Sequence, residues 1–404
     1  MSASPRRLVV AIAFAAFVSL GLPDGVLGVA WPSIRMTFGR PVSGLGSILL
    51  AVMTGYLVSS FGSGAIVARH GVGRLLAWSN ALVAVSCVGY ALATAWPMML
   101  VSGLVAGLGA GAIDAGINVH AAERFSPRLV SWLHASWGAG ASLGPLIMTA
   151  TLGAGLAWAW GYAAVAMILA AMSLTFFATI GLWGRPRPMT GDAPAPRDFI
   201  RTLRRPRVWA HMAVFFLYTG LEASAGQWAY SLLTEARQIP PLVAGTWVGG
   251  YWASLTAGRL VCGAAAHRFT ARGLLRAAMV SALFAAALVQ ADRGPASTLA
   301  GLAWLGFSLA PIFPMLIAST PARLGAEHAS HAIGFQVSAA CLGAAAVPGA
   351  AGLIARWRGI EEIPTVLVAN VIALLLLHEG TNAFARQPRS GGPLISSSSL
   401  PSKA

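Results

Sequence analysis

The chain has 404 residues, of which 57% are hydrophobic and only 10% charged, with a formal net charge of +15. Soluble globular proteins carry roughly 25% charged residues, so a water-soluble enzyme or binding domain is excluded. The positive charges are scattered between apolar runs rather than gathered in one patch, which fits loops facing anionic lipid and argues against nucleic acid as a partner.

In chain order, twelve apolar runs are long enough to cross a hydrocarbon core of ~30 Å. They cover residues 8–30, 45–67, 75–95, 97–120, 130–156, 159–183, 208–232, 241–266, 273–291, 296–320, 332–355 and 363–384. A β-barrel would instead need short segments of alternating polarity. The pattern predicts an all-α polytopic membrane protein. Ser4-Pro5-Arg6-Arg7 precedes the first run as in a signal peptide. However, the run from Leu8 to Trp31 is too long for an h-region and has no clear cleavage site, so it is read as the first span.

Inside that span, GLPDGVLG sets Asp24 between Gly21 and Gly28, with Pro23 expected to bend the helix. The fourth span contains GLVAGLGAGAIDAGIN, Gly103 to Asn118. Gly103, Gly107, Gly111 and Ala115 recur every four residues, so one stripe is nearly bare and another helix can approach closely. Asp114 and Asn118 lie one turn apart beside it. A carboxylate at such depth is costly unless it meets a cavity or a partner. A carboxyl so placed can bind a proton and release it when water or a cation arrives, which is what a proton-coupled carrier needs. Asp24, Asp114 and Glu222 of the seventh span are the candidates for proton coupling. Glu379, near the end of the last span, needs no special role.

Candidate solute contacts are Asn118, His134, Trp137, Gln227, Tyr251, Trp252 and Gln336. For His134 and Gln336, hydrogen-bonded packing fits equally well. Trp228, Tyr230, Trp247, Tyr251 and Trp252 cluster around the outer ends of spans seven and eight; most are expected to be interfacial belt residues, with Tyr251 and Trp252 deeper. Arg259 in span eight either snorkels to the nearer interface or forms a gating ion pair. Cys87, Cys262 and Cys341 fall singly inside apolar runs and read as small hydrophobes. No spacing calls for a metal or a cofactor.

Gly184 to Arg207, GRPRPMTGDAPAPRDFIRTLRRPR, reads as a surface linker between two halves, 1–183 and 208–386. Segment 387–404, rich in Ser, Pro and Gly, is expected to be disordered. With the N-terminus inside, the cytoplasmic segments hold 20 of the 27 Lys and Arg and the outer loops hold six. That asymmetry places both termini on the cytoplasmic side of the membrane.

The halves repeat. Gly64-Ala-Ile-Val-Ala-Arg69 and Gly263-Ala-Ala-Ala-His-Arg268 end spans two and eight. Asp24, Gly28 and Ser33 correspond to Glu222, Gly226 and Ser231, and His134 and Ser136 to Gln336 and Ser338. Three pairs of spans at nearly constant offset indicate a parallel duplication. The expected architecture is twelve transmembrane helices in two pseudo-symmetric six-helix bundles.

With these spans, this repeat and a basic central linker, the chain resembles the major facilitator superfamily. The loop after span two is similar to its signature, G-x-x-x-D-R-x-G-R: Gly64, Arg69 and Gly71 match, Ala68 replaces the acid and the next arginine is Arg74. That likeness implies gating roles for Arg69 and Arg74 and, through the repeat, for Arg268, beside the gating alternative already open for Arg259. Asp24, and Asp114 with Asn118, match the acid of span one and the acid-x-x-x-Asn of span four in the fucose-permease-like branch of sugar–proton symporters. The resemblance implies proton coupling and solute binding at Asp24 and Asp114. His134 and Trp137 stand where that branch has Gln and Asn, which weakens fucose as the solute.

The expectation is therefore a monomeric secondary transporter carrying a small polar solute, a sugar or related metabolite, with protons as the second partner. A proton-coupled exporter is the alternative. Its span-five signature is incomplete, since Gly140, Gly144 and Pro145 are present but Met148-Thr149 replaces the final Gly pair. An intramembrane aspartyl protease is a remote alternative, because its aspartate usually sits in Gly-x-Gly-Asp. A carrier-like sensor without transport is another. No P-loop is present to supply ATP drive.

Overall fold

The computed structural model describes residues 3–125, 127–183, 196–265 and 268–384, and among them there are helices and turns but no strand. The first group of helices is α1 (Ala3–Gly21), α2 (Val26–Thr37), α3 (Leu45–His70), α4 (Val72–Ala91), α5 (Trp96–Arg124), α6 (Pro127–Gly153) and α7 (Trp158–Ala178). A short helix, α8 (Pro196–Leu203), precedes the second group: α9 (Pro206–Ser231), α10 (Pro241–Ala265), α11 (Ala271–Ala291), α12 (Pro295–Leu309), α13 (Ile312–Leu324), α14 (Ala326–Arg358) and α15 (Ile363–Phe384).

Among the described residues, nine helical segments are long and apolar enough to cross a membrane. The other three runs expected from the sequence, 130–156, 208–232 and 241–266, fall on α6, α9 and α10. Two spans are broken. The first splits into α1 and α2 around Asp24, where Pro23 has no N–H to give. The tenth splits into α12 and α13 at Ala310–Pro311. The central linker is not wholly irregular, since α8 packs on α14, with Thr202 Oγ1 2.8 Å from His328 Nδ1. The linker segment 184–195 and the tail 387–404 lie outside the described residues.

Within the first group, α3 packs on α5, α4 on α5 and α7, and α1 on α6; in the second, α9 packs on α14 and α15, and α11 on α12 and α15. The glycine stripe of α5 faces α3. A Cβ on Gly107 would stand 1.8 Å from the Val52 carbonyl oxygen, and one on Gly55 would stand 2.1 Å from that of Leu104. Close approach here needs bare backbone on both helices. The glycines of the incomplete exporter signature do the same for α1 and α6: a Cβ on Gly140 would meet Val18 O at 2.1 Å and one on Gly144 would meet Leu22 O at 2.2 Å.

The bundles meet along α6 and α10, α3 and α14, and α2 and α9. At the end holding loops 38–44 and 237–240, here called the far end, the 42–44 turn also packs on α14. There Arg35 of α2 is ion-paired with Glu235, one turn beyond α9. Gly46 lies against Gly349, and a Cβ on Gly28 would stand 2.9 Å from Gln227 O. Gly28 and Gly226 are equivalent in the sequence repeat, so matching positions of the two groups face each other. Trp228 is fully buried and donates from Nε1 to Pro348 O at 3.0 Å. It is not the interfacial residue that its position near a span end suggests, because α14 covers it.

Candidate functional site

The site is built at the break in the first span. Between Gly21 and Val26 the helical ladder is interrupted, and turn bonds from Asp24 N to Gly21 O and from Val26 N to Pro23 O replace it. The freed Asp24 carbonyl accepts from Gln227 Nε2 of α9 at 2.9 Å. Its carboxylate accepts from Trp137 Nε1 of α6 at 3.0 Å. Gly21 and Gly25 allow this approach, since a Cβ on them would stand 2.0 Å from Trp137 O and 2.5 Å from Ala141 O. Although it lies mid-span, Asp24 is exposed.

Glu222 is buried on α9 and held by three partners. Tyr218, one turn earlier, donates its hydroxyl to the carboxylate. Arg259 of α10 makes an ion pair with it at 3.4 Å. Tyr251 donates to the Glu222 backbone carbonyl at 2.9 Å. The guanidinium carbon of Arg259 also lies 5.1 Å from the centre of the Trp137 ring, and Trp252 meets Trp137 edge-on at 5.5 Å and 87°. Arg259 is thus a paired cation rather than a snorkelling one.

Asp114 has its own pair of donors. Tyr56 of α3 reaches one carboxylate oxygen at 2.5 Å and Asn118 Nδ2 reaches the other at 2.9 Å. Asp24 and Glu222 are linked across the bundles through Trp137 and Arg259, whereas Asp114 is held by α3 and by its own helix. Such an arrangement presents carboxyls that differ in their partners: one exposed to water, one held by neutral donors and one neutralised by an arginine.

The other predicted residues divide. His134 is exposed and packs edge-on against Phe17 at 5.0 Å. Tyr251 and Gln336 are completely buried. Tyr251 is spent on the Glu222 carbonyl and Gln336 Oε1 accepts from Thr320 at 2.9 Å, so both brace helices instead of presenting a surface to a solute. Arg69, Arg74 and Arg268 are exposed near the helix ends remote from the Arg35–Glu235 pair. Among the described residues they make no ion pair, so they hold no gate shut in this structure. Two site residues escaped the sequence reading, Tyr56 and Tyr218. Tyr218 was discoverable, since it precedes Glu222 by four residues on one helical face; Tyr56 was not, because nothing local marks its partner.

The sequence matches the model of the Major Facilitator Superfamily over residues 12–348. The chain belongs to that superfamily. This major facilitator protein is 22% identical over 410 residues to Bypass of stop codon protein 6 of Saccharomyces cerevisiae, covering 89% of this chain and 79% of the yeast protein. The nucleoside transporter NupG superimposes with a TM-score of 0.75 over 93% of this chain and 99% of NupG, at 13% identity. A bacterial homolog of the human lysosomal transporter Spinster, inward-facing and occupied, gives 0.73 over 95% of this chain and 97% of its own, at 14% identity. The E. coli fucose:proton symporter FucP gives 0.65 over 94% and 99%, at 15% identity. At such identities the likeness to these structures is one of fold. A major facilitator protein is a multi-pass membrane transporter for small molecules, not an enzyme.

Proposed function

We propose that this major facilitator protein is a proton-coupled symporter of a small polar solute, a sugar or related metabolite, working by alternating access. The observation that carries the reading is Asp24, solvent-accessible at a break in its helix and hydrogen-bonded there to Trp137 of its own bundle and to Gln227 of the other. Asp24 and Asp114 are the groups that take up and release the proton. Glu222 is neutralised by Arg259 and belongs to the gating machinery. Solute binds beside them, against Trp137, Asn118 and His134, with the buried Trp252 and Gln227 bracing that wall from behind. The structural relatives whose names specify a nucleoside and fucose support a hydroxyl-rich solute.

In this reading residues 1–183 and 208–386 rock about the site, and 184–207 tethers them. Both termini lie in the cytoplasm of a bacterium and a single chain is the working unit. Closure at the far end, with Asp24 open to water, makes the conformation inward-facing. Proteoliposome uptake of a panel of sugars, nucleosides and small acids, with and without a pH gradient, tests the reading. Accumulation of one solute only when a gradient is imposed supports it. Gradient-independent equilibration of that solute overturns the coupling, and exchange of solute against protons in the opposite direction overturns symport.

A further inference from the structure

Trp137 touches charged groups of both bundles at once. Its indole N–H donates to Asp24 in the first bundle at 3.0 Å. Its ring lies 5.1 Å from the guanidinium carbon of Arg259 in the second, and Arg259 in turn holds Glu222 at 3.4 Å. Asp24 and Arg259 form no ion pair with each other among the described residues. A continuous path therefore runs Asp24–Trp137–Arg259–Glu222, and it crosses between bundles at a single side chain.

The backbone around that side chain has no slack. A Cβ on Gly21 would stand 2.0 Å from Trp137 O, which locks the residue to α1. A Cβ on Gly138, the next residue, would stand 2.0 Å from Thr256 Oγ1 on α10. Filling volume alone would need only an apolar ring. Tryptophan adds a donor-only N–H and the aromatic face that attracts a cation best, and both features are in use here.

We infer that Trp137 is a positioning residue that transmits the charge state of Asp24 to the Arg259–Glu222 pair of the opposite bundle. The physiological purpose rests on the proton-coupled reading above; the contact itself does not. While Asp24 is ionised, its carboxylate accepts a charge-assisted hydrogen bond that fixes the indole under Arg259. When a proton from the surrounding water adds to a carboxylate oxygen, Trp137 keeps its own hydrogen and now faces a neutral acceptor. The bond weakens, the ring is freed to turn, and Arg259 loses its aromatic support. One protonation in the first bundle thereby changes the grip of the second. The other groups facing Asp24 are Asp114, Glu222 and Tyr56, while His134 faces Asp114 and Arg259. From α4 and α7, also packed against α1, come Cys87, Tyr90 and Tyr162 in the core, and the exposed Arg74 at the end of α4.

The test is a double-mutant cycle read by thermal melting of the full chain in lipid nanodiscs, which needs no solute. Substitutions with no shared partner add. Asp24→Asn and Arg259→Lys are expected to be non-additive in the otherwise unchanged chain and additive once Trp137→Phe is present, since phenylalanine keeps a ring and lacks the N–H. A packing role for Trp137 would lower every melting temperature and leave the non-additivity in place. Additivity in the unchanged chain overturns the inference, as does non-additivity that survives Trp137→Phe. If Arg259→Lys fails to fold, Glu222→Gln replaces it at the other end of the path; if Trp137→Phe fails, Trp137→Leu replaces it, since leucine fills volume with neither the N–H nor the aromatic face. Loss of the proposed proton coupling in uptake assays would leave this result standing, and the converse holds too.

Discussion

The Glu222 carboxylate stands 3.4 Å from the Arg259 guanidinium, with both side chains largely buried between α9 and α10. Each is the other's ionic partner at a depth where a lone charge is poorly solvated. Removing one member of such a pair costs about 3–5 kcal/mol, much of it the penalty of the charge left behind. Glu222→Gln should therefore lower the melting temperature strongly, and adding Arg259→Gln should restore part of the loss. Melts of the two single variants and the double check this. A double variant less stable than Glu222→Gln alone would show that Arg259 has other essential partners.

Asp24→Asn and Asp114→Asn should each abolish uphill, gradient-driven uptake. The amide keeps the shape but can neither take up nor release a proton. Asp114→Asn should also disturb Tyr56 and Asn118, which now share its carboxylate. Proteoliposomes with an imposed pH gradient provide the measurement, and full proton-driven accumulation in both variants would remove the carboxylate mechanism.

Gly107→Leu should damage folding. Its Cβ would stand 1.8 Å from the Val52 carbonyl and 2.8 Å from the Tyr56 amide nitrogen. These are backbone atoms that cannot step aside, so α3 and α5 must separate. Overpacking of this kind costs on the order of 1–3 kcal/mol or more. Low yield and a depressed melting temperature are expected; wild-type melting would contradict the packing.

Arg35 and Glu235 should matter through their pairing. Their side chains are partly exposed, so the static contribution is within about 1 kcal/mol. The pair nonetheless joins the bundles where they close. Arg35→Glu or Glu235→Arg alone should shift the chain toward opening at the far end, seen as faster labelling of a cysteine introduced by Ser43→Cys, a near-isosteric change beside α14. Combining the two reversals should restore wild-type labelling. Labelling that is unchanged in the single variants would mean that α3 and α14 hold that end by themselves.

Reporter fusions after residues 195 and 400 should be active only as cytoplasmic enzymes, given the 20 of 27 basic residues assigned to that side. A periplasmic signal at either position would invert the orientation.

The sequence by itself determined that this is a helical membrane protein, where its spans run, and which acids lie inside them. It also supplied the superfamily resemblance and the glycine stripe of α5. Each of these is written locally, in uninterrupted apolar runs, in a four-residue period, or in a carboxyl too deep to be solvated without help. What only the tertiary structure decided is which groups meet. Arg259 was equally compatible with snorkelling until α9 brought Glu222 beside it. Trp228 looked like an interfacial residue until α14 covered it, and Tyr251 looked like a solute contact until its hydroxyl proved to be spent on the Glu222 backbone. Asp24, Trp137 and Arg259 come from three helices far apart in the chain, and no local signal connects them. The reason is physical. In a bilayer the lipid-facing and protein-facing sides of a helix are both apolar, so periodicity that would orient a helix in a soluble protein leaves its rotation and its partners open.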